Sequence, residues 1–259
     1  YTFLSLRWTG SLHQWEAYHF VYKIIAGLAT ALVISVHTIV SLDFAVSLVG
    51  GWHSLIFPSF FVVGAIFSGF AMVQLLLCAM RYFLKLSDEI SIDHNKNINL
   101  ILLSSSLIMF LCYMSEILIG YSSNNHHEIE LLNERLFGGF SVAFWGMVLC
   151  NILIPQFFWI RKLRNSITGS VLISIAICVG MWLERYIIVA GSLSSNNIML
   201  KINDYSLTIT EIGLFIGTLG TFILLFLLFI RFFPIISVHE LLSMNHRSNH
   251  NLKKKGESD

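Results

Sequence analysis

The sequence predicts an all-α protein, a polytopic transmembrane helix bundle of about six spans. Three observations carry that expectation. Hydrophobic residues make up 56% of the 259 and charged residues 12%, against about 25% charged in a soluble domain, and mean hydropathy is +0.74. Six apolar stretches are each long enough to cross about 30 Å of hydrocarbon at about 1.5 Å per residue. Lysine and arginine collect in alternate loops, as in a chain that crosses a membrane repeatedly.

The elements follow in order. Residues 1–20, which include SLRWTGSLHQWEAYHF, form an amphipathic segment without a signal-peptide pattern. The opening Tyr1 points to a longer protein whose front is missing here. The spans are expected at Val21–Leu48, Ile56–Leu84, Ile98–Ile119, Leu136–Ile160, Ile167–Ala190 and Thr208–Phe233, so residues 21–233 make up the membrane bundle. Pro58 opens the second span, where proline costs little. Pro155 falls inside the fourth, removes a backbone donor and predicts a kink. AIFSG (Ala65–Gly69) and GLFIG (Gly213–Gly217) are small-xxx-small patterns for close helix packing. Residues 234–259 end in SMNHRSNHNLKKKGESD, a polar and disordered tail.

Charge sets the orientation. One side carries Arg7, Lys23, Arg81, Lys85, Lys96, Arg161, Lys162, Arg164, Arg231, Arg247 and Lys253–Lys255. The other carries Lys201 and Arg135. The basic side is cytoplasmic, with both chain ends on it. A net charge of +1 gives no footing for nucleic acid. Cys78, Cys112, Cys150 and Cys178 all stand in apolar runs, with no C-x-x-C, haem c or zinc spacing. They read as small buried hydrophobes, and no metal or cofactor is expected on this chain. Only His37 lies deep in a span, so a bis-histidine haem is not expected either.

An ionisable group inside a membrane span costs about 2.5–3.5 kcal/mol on insertion scales. Those in this chain therefore mark the candidate site. His37, Asp43 and Glu116 are the candidates for proton transfer or for work at a quinol. His53, Arg135, Glu184 and Arg185 are the structural or ion-pair candidates. All seven fall toward the non-cytoplasmic ends of the spans or in the adjoining loop. Lys23, Thr30 and His37 are seven apart, with Ser41 beyond, and form a polar stripe suited to helix packing or to a proton wire. Glu184 and Arg185 are adjacent, about 100° apart on a helix, so they are not expected to pair, whereas Glu184 can reach Arg135. The function classes in play are a quinol-oxidoreductase subunit, a secondary transporter or proton-conducting pore, and a membrane scaffold.

The strings SVHTIVSLDFAVSLVGGWHSLIFPSFFVVGAIFSGFAMV, YMSEILIGYSSN, NERLFGGF, LCNILIPQFFWIRKLR, GMWLERYIIVAGSL and IGLFIGTLGTFILLFLLFIRFFPIISVHE run nearly the length of the chain. They resemble the NrfD-like, polysulfide-reductase-type membrane subunits, most of all the ActC-type subunits of bacterial alternative complex III. The resemblance implies helix bundles in the bacterial inner membrane. It also implies quinol oxidation near the outer face, with electrons passing to an iron–sulfur subunit and then to c-type cytochrome subunits. A homologous membrane subunit and coupled proton movement are implied as well. The iron–sulfur clusters and haem c belong to the partners. On this resemblance the chain corresponds to the later half of such a subunit. The family's quinol pocket is built chiefly in the earlier half, and His37, Asp43 and Glu116 match polar positions of the second bundle.

Overall fold

The computed structural model describes residues 8–47, 52, 56–84, 92–192, 195–196, 201–202 and 208–233. Six of its helical segments are long and apolar enough to cross a membrane. They are α1 (Leu12–Ala45), α2 (Phe57–Phe83), α3 (Ile92–Ser122), the segment Ser141–Trp159, the segment Ile167–Gly191, and α8 (Ile209–Phe232). The expected tail at 234–259 and residues 1–7 lie outside the described residues, as does His53.

Residues 8–204 belong to one compact unit. In it α1 packs on α2, and α2 packs on both α3 and α7 (Ile167–Tyr186). Helix α5 (Ser141–Val148) lies on α7, and the short α6 (Arg161–Arg164) precedes α7. The core between them is apolar: Phe67, Ala71, Leu102, Met109, Phe158 and Ile177 are fully buried. Near the end of this unit, Ser195–Asn196 and Lys201–Ile202 pair as a two-residue antiparallel ribbon. Helix α8 belongs to a second unit. It starts on a capping box, with Glu211 accepting from the Thr208 N–H at 2.7 Å and Thr208 Oγ1 accepting from the Glu211 N–H.

Several boundaries differ from the sequence reading, among them the start of α3, at Ile92 rather than at the expected Ile98. Helix α1 begins at Leu12, capped by Ser11, and runs without a break through the segment read as separate. The stretch before the fourth span folds as α4 (His126–Phe137), a 12-residue helix. It buries Leu131, Leu132 and Leu136 and is separated from α5 by Gly138-Gly139-Phe140. Leu136 and Phe137 therefore belong to α4, and the fourth span starts at Ser141. Hydropathy missed α4 because its polar residues, among them Glu128, Glu130, Asn133, Glu134 and Arg135, offset its leucines in a window average.

The irregular middle of the fourth span sits where Pro155 predicted a kink. Helix α5 widens into a π-turn at Leu149–Leu153, then tightens into a 3₁₀ stretch at Ile154–Trp159. A second π-turn, Ile187–Gly191, ends α7. Trp52 Nε1 donates to the Ile188 carbonyl there at 2.8 Å. Close approaches of the bundle are at Gly64, at Gly120 against Leu132 of α4, and at Gly180, whereas a Cβ on Gly69, within the AIFSG pattern, would meet nothing within 4 Å.

Candidate functional site

Two helices set the frame. Asn99 on α3 bonds Ser170 on α7, and Tyr113 on α3 bonds Glu184 on α7. Both pairs are 71 residues apart. Helices α3 and α7 therefore run parallel in constant register, and a residue's height on one fixes its neighbour on the other. One end of this pair carries Lys96, Arg161, Lys162 and Arg164 and is called the basic end. The other is the α4 end.

At the α4 end the charged residues converge. Glu184 is 1% exposed. Its Oε2 accepts from the Tyr113 hydroxyl at 2.5 Å, and Tyr113 accepts in turn from Asn151 Nδ2 at 3.0 Å. Asn151 is held by the π-turn, and its own carbonyl accepts from Ser106 Oγ at 2.7 Å. Gln156 Nε2 donates to that same Ser106 Oγ at 3.3 Å. The widened turn is what brings a buried amide to this point, since Gly180 on α7 leaves space for it. A Cβ at Gly180 would collide with Asn151 Oδ1 and lie 2.6 Å from Cys150 Cβ.

Arg135 reaches in from α4. Its Nη1 donates to Glu116 Oε1 at 2.9 Å and its Nη2 to Ser192 Oγ at 3.2 Å, joining α4 to α3 and to the end of α7. Between this pair and Glu184 lies a cavity of about 20 Å³, lined by Phe60, Tyr113, Glu116, Arg135, Met147 and Glu184 among others. That is room for one water with polar groups on two sides. The arrangement is two carboxylates, one phenol and one guanidinium around a hydratable space, which is suited to holding and passing protons.

Arg185 does pair with Glu184, Nη2 to Oε1 at 3.5 Å, and Arg135 takes Glu116 instead. The helical angle between adjacent residues is overcome by the length of the arginine side chain. Its guanidinium folds back over the Phe61 ring, 4.3 Å from the centroid. His37 lies half-buried on α1, 6.4 Å from that ring. His37 Nδ1 is 2.7 Å from the Val33 carbonyl, so this nitrogen carries the hydrogen. Asp43 is exposed on α1. The structure thus gathers Glu116, Arg135, Glu184 and Arg185, places His37 at the margin, and leaves Asp43 apart.

The family described as polysulphide reductase, NrfD, matches this chain over residues 2–195. The chain belongs to the NrfD family. With its six apolar helices it is a multi-pass membrane protein. The selenate reductase C polypeptide of Mesobacillus selenatarsenatis is 26% identical over 206 residues, covering 75% of this chain and 47% of that protein. The NrfD chain therefore spans about half the length of the curated relative it matches.

Sequence reasoning missed Tyr113, Asn151, Ser106 and Gln156, because neutral polar residues do not stand out in an apolar span. One signal was present: Asn99, Ser106 and Tyr113 repeat every seven residues and share one face of α3. The four cysteines stand on separate segments, in α2, α3, the π-turn and α7. Among the described residues no three His, Cys, Asp or Glu side chains gather as a metal site.

Proposed function

We propose that this NrfD chain is part of the integral membrane subunit of a quinol-linked respiratory oxidoreductase complex of the alternative complex III kind, in a bacterial inner membrane. It acts as an enzyme only within that complex. Quinol gives up two electrons and two protons, and the electrons pass to an iron–sulfur subunit and on to c-type cytochrome subunits. The membrane part is completed by a homologous membrane subunit. The basic end faces the cytoplasm. The α4 end faces outward, where protons leave.

The observation that carries the reading is the buried cluster of Tyr113, Glu184, Glu116 and Arg135 around one hydratable cavity. Buried carboxylates in a bilayer are retained for proton or ion work. The reductase polypeptide among its relatives supports a redox setting. His37, at the margin of this cluster, and Asp43, apart from it on α1, are further proton-handling candidates. An interrupted helix beside a buried carboxylate also suits a secondary transporter, and the segment Ser141–Trp159 is such a helix.

Purification of the native complex separates the two readings. The expected result is haem c absorption in a reduced-minus-oxidised spectrum, together with a co-purifying iron–sulfur protein. A colourless assembly of this chain alone overturns it. Within the complex, Tyr113→Phe removes the donor to Glu184 and is expected to slow quinol oxidation while the subunits still assemble. An unchanged rate and proton yield removes Tyr113 and Glu184 from the mechanism.

A further inference from the structure

The hydrogen-bond accounts of the basic end leave specific atoms open. Asn99 is fully buried, and its Nδ2 donates twice, to the Arg164 carbonyl at 2.9 Å and to Ser170 Oγ at 2.7 Å. Its orientation is therefore fixed, and Oδ1 is left without a donor. Asn95 donates to the same Ser170 Oγ at 2.9 Å and accepts from Gln74 Nε2, which leaves Gln74 Oε1 without a donor. Ser174, one turn further along α7 and fully buried, has no hydrogen-bond partner on Oγ.

Nearer the α4 end, Asn151 Oδ1 and Glu184 Oε1 also make no hydrogen bond. Seven buried side-chain atoms lack such a bond among the described residues, and these five stand on α2, α3, α7 and the π-turn, which pack on one another. The shared register gives their heights. Ser174 stands about 6 Å beyond Ser170, and Ser106 about 10 Å beyond Asn99. The orphaned Ser174 hydroxyl therefore fills the step between the amide cluster and Ser106. Ser106 donates to the Asn151 backbone carbonyl, and a second chain starts at the Asn151 side-chain amide and runs through Tyr113 to Glu184, so a water on the open Asn151 Oδ1 has to join the two. The line from Asn95 to Glu116 covers about 31 Å of α3, close to the hydrocarbon thickness. At its basic end a second cavity, about 10 Å³, lies against Gln74, Cys78, Arg81, His94 and Asn95.

Each buried acceptor left dry costs about 1–3 kcal/mol. Their succession in height, from Gln74 and Asn99 through Ser174 to Asn151, is what bound waters satisfy. We infer that the α3–α7 seam is a hydrated proton inlet, which takes protons from the basic face at Gln74, Asn95 and Asn99 and delivers them through Ser174 and Ser106 to Glu184. This rests on the quinol-linked reading for its driving reaction, but the hydration does not. The proton moves by hydroxyl and water exchange, each group accepting one proton as it gives up another, so no oxidant or reductant is needed.

Two measurements on the intact complex test it. The first is radiolytic hydroxyl labelling in the membrane, read by mass spectrometry. Tyr113 and Met181 are expected to be labelled despite burial, and labelling is expected to fall when Ser174→Leu fills the step. No label at either residue in the wild type means a dry seam and overturns the inference, whatever reaction the complex runs. The second is proton uptake from the basic face in liposomes during turnover. Ser174→Val, which has the volume of threonine, removes the hydroxyl. It is expected to slow uptake about tenfold, roughly the effect of losing one buried hydrogen bond, and Ser174→Thr restores it. Wild-type uptake in Ser174→Val overturns the inlet. A complex that oxidises quinol without uptake from this face also overturns it, and leaves the quinol-linked reading standing.

Discussion

Gly180→Ala adds one methyl group at the tightest point between α7 and the irregular part of the fourth span. In an exposed helix the change would stabilise by about 0.5–1 kcal/mol. Here the new Cβ would lie 2.6 Å from Cys150 Cβ and 2.9 Å from Asn151 Cγ, and closer still to Asn151 Oδ1. The Cys150 contact is set by backbone, so α7 and the π-turn must part. Overpacking of this kind costs about 1–3 kcal/mol. Displacing Asn151 also breaks its bond to Tyr113 and leaves buried polar groups unmatched, a further ~1–3 kcal/mol. The net expectation is a loss of about 3 kcal/mol, or about 6–12 °C in apparent melting temperature for a chain of this size. Thermal unfolding of the purified complex in mild detergent reads the shift. In an Asn151→Ala background the methyl meets less, and the penalty is expected to fall by at least ~1 kcal/mol. A Gly180→Ala protein as stable as the parent would refute the packing argument and the placement of Asn151 with it.

Other expectations follow from the same contacts. Arg135→Met leaves Glu116 without its cation and unties α4 from α3. Because the Glu116 side chain is 35% exposed, the cost is set below that of a fully buried pair, at about 1–3 kcal/mol. Adding Glu116→Gln should recover part of it, and no recovery in the double variant would discount the pair. Trp52→Phe removes the donor to the Ile188 carbonyl and part of the ring that packs on Phe44, and should lower stability by about 1–3 kcal/mol.

The spans were legible because hydropathy needs only composition over a turn-averaged window. What composition does not carry is where a helix breaks. Helix α4 was hidden by its polar residues, and the start of α1 by the polar His13, Gln14, Glu16 and His19, which made residues 1–20 an amphipathic segment apart from the span. Of the site, the ionisable residues were legible by their cost in lipid, and Glu116, Arg135 and Glu184 do line one cavity. Their pairing was not legible. Spacing along one helix says nothing of an arginine that bends back onto a ring of a second helix, as Arg185 does on Phe61.

Two polar stripes with the same seven-residue spacing have different fates, and the reason is chemical. On α1, Thr30 Oγ1 donates to the Ala26 carbonyl at 2.9 Å, Ser41 to that of Thr38 at 2.8 Å, and His37 meets that of Val33. A helix interior offers side chains spare carbonyl lone pairs, but its N–H groups are all engaged. A donor can thus be satisfied within its own helix, and an acceptor cannot. Gln74 Oε1, Asn99 Oδ1 and Asn151 Oδ1 are acceptors, and in a bilayer their donors must come from another helix or from water. The α1 stripe therefore closes on itself, whereas the stripe on α3 draws in α7, the π-turn and a line of hydration. In an apolar span, amide and carboxylate oxygens at helical spacing point to an interior polar path more strongly than hydroxyls at the same spacing do.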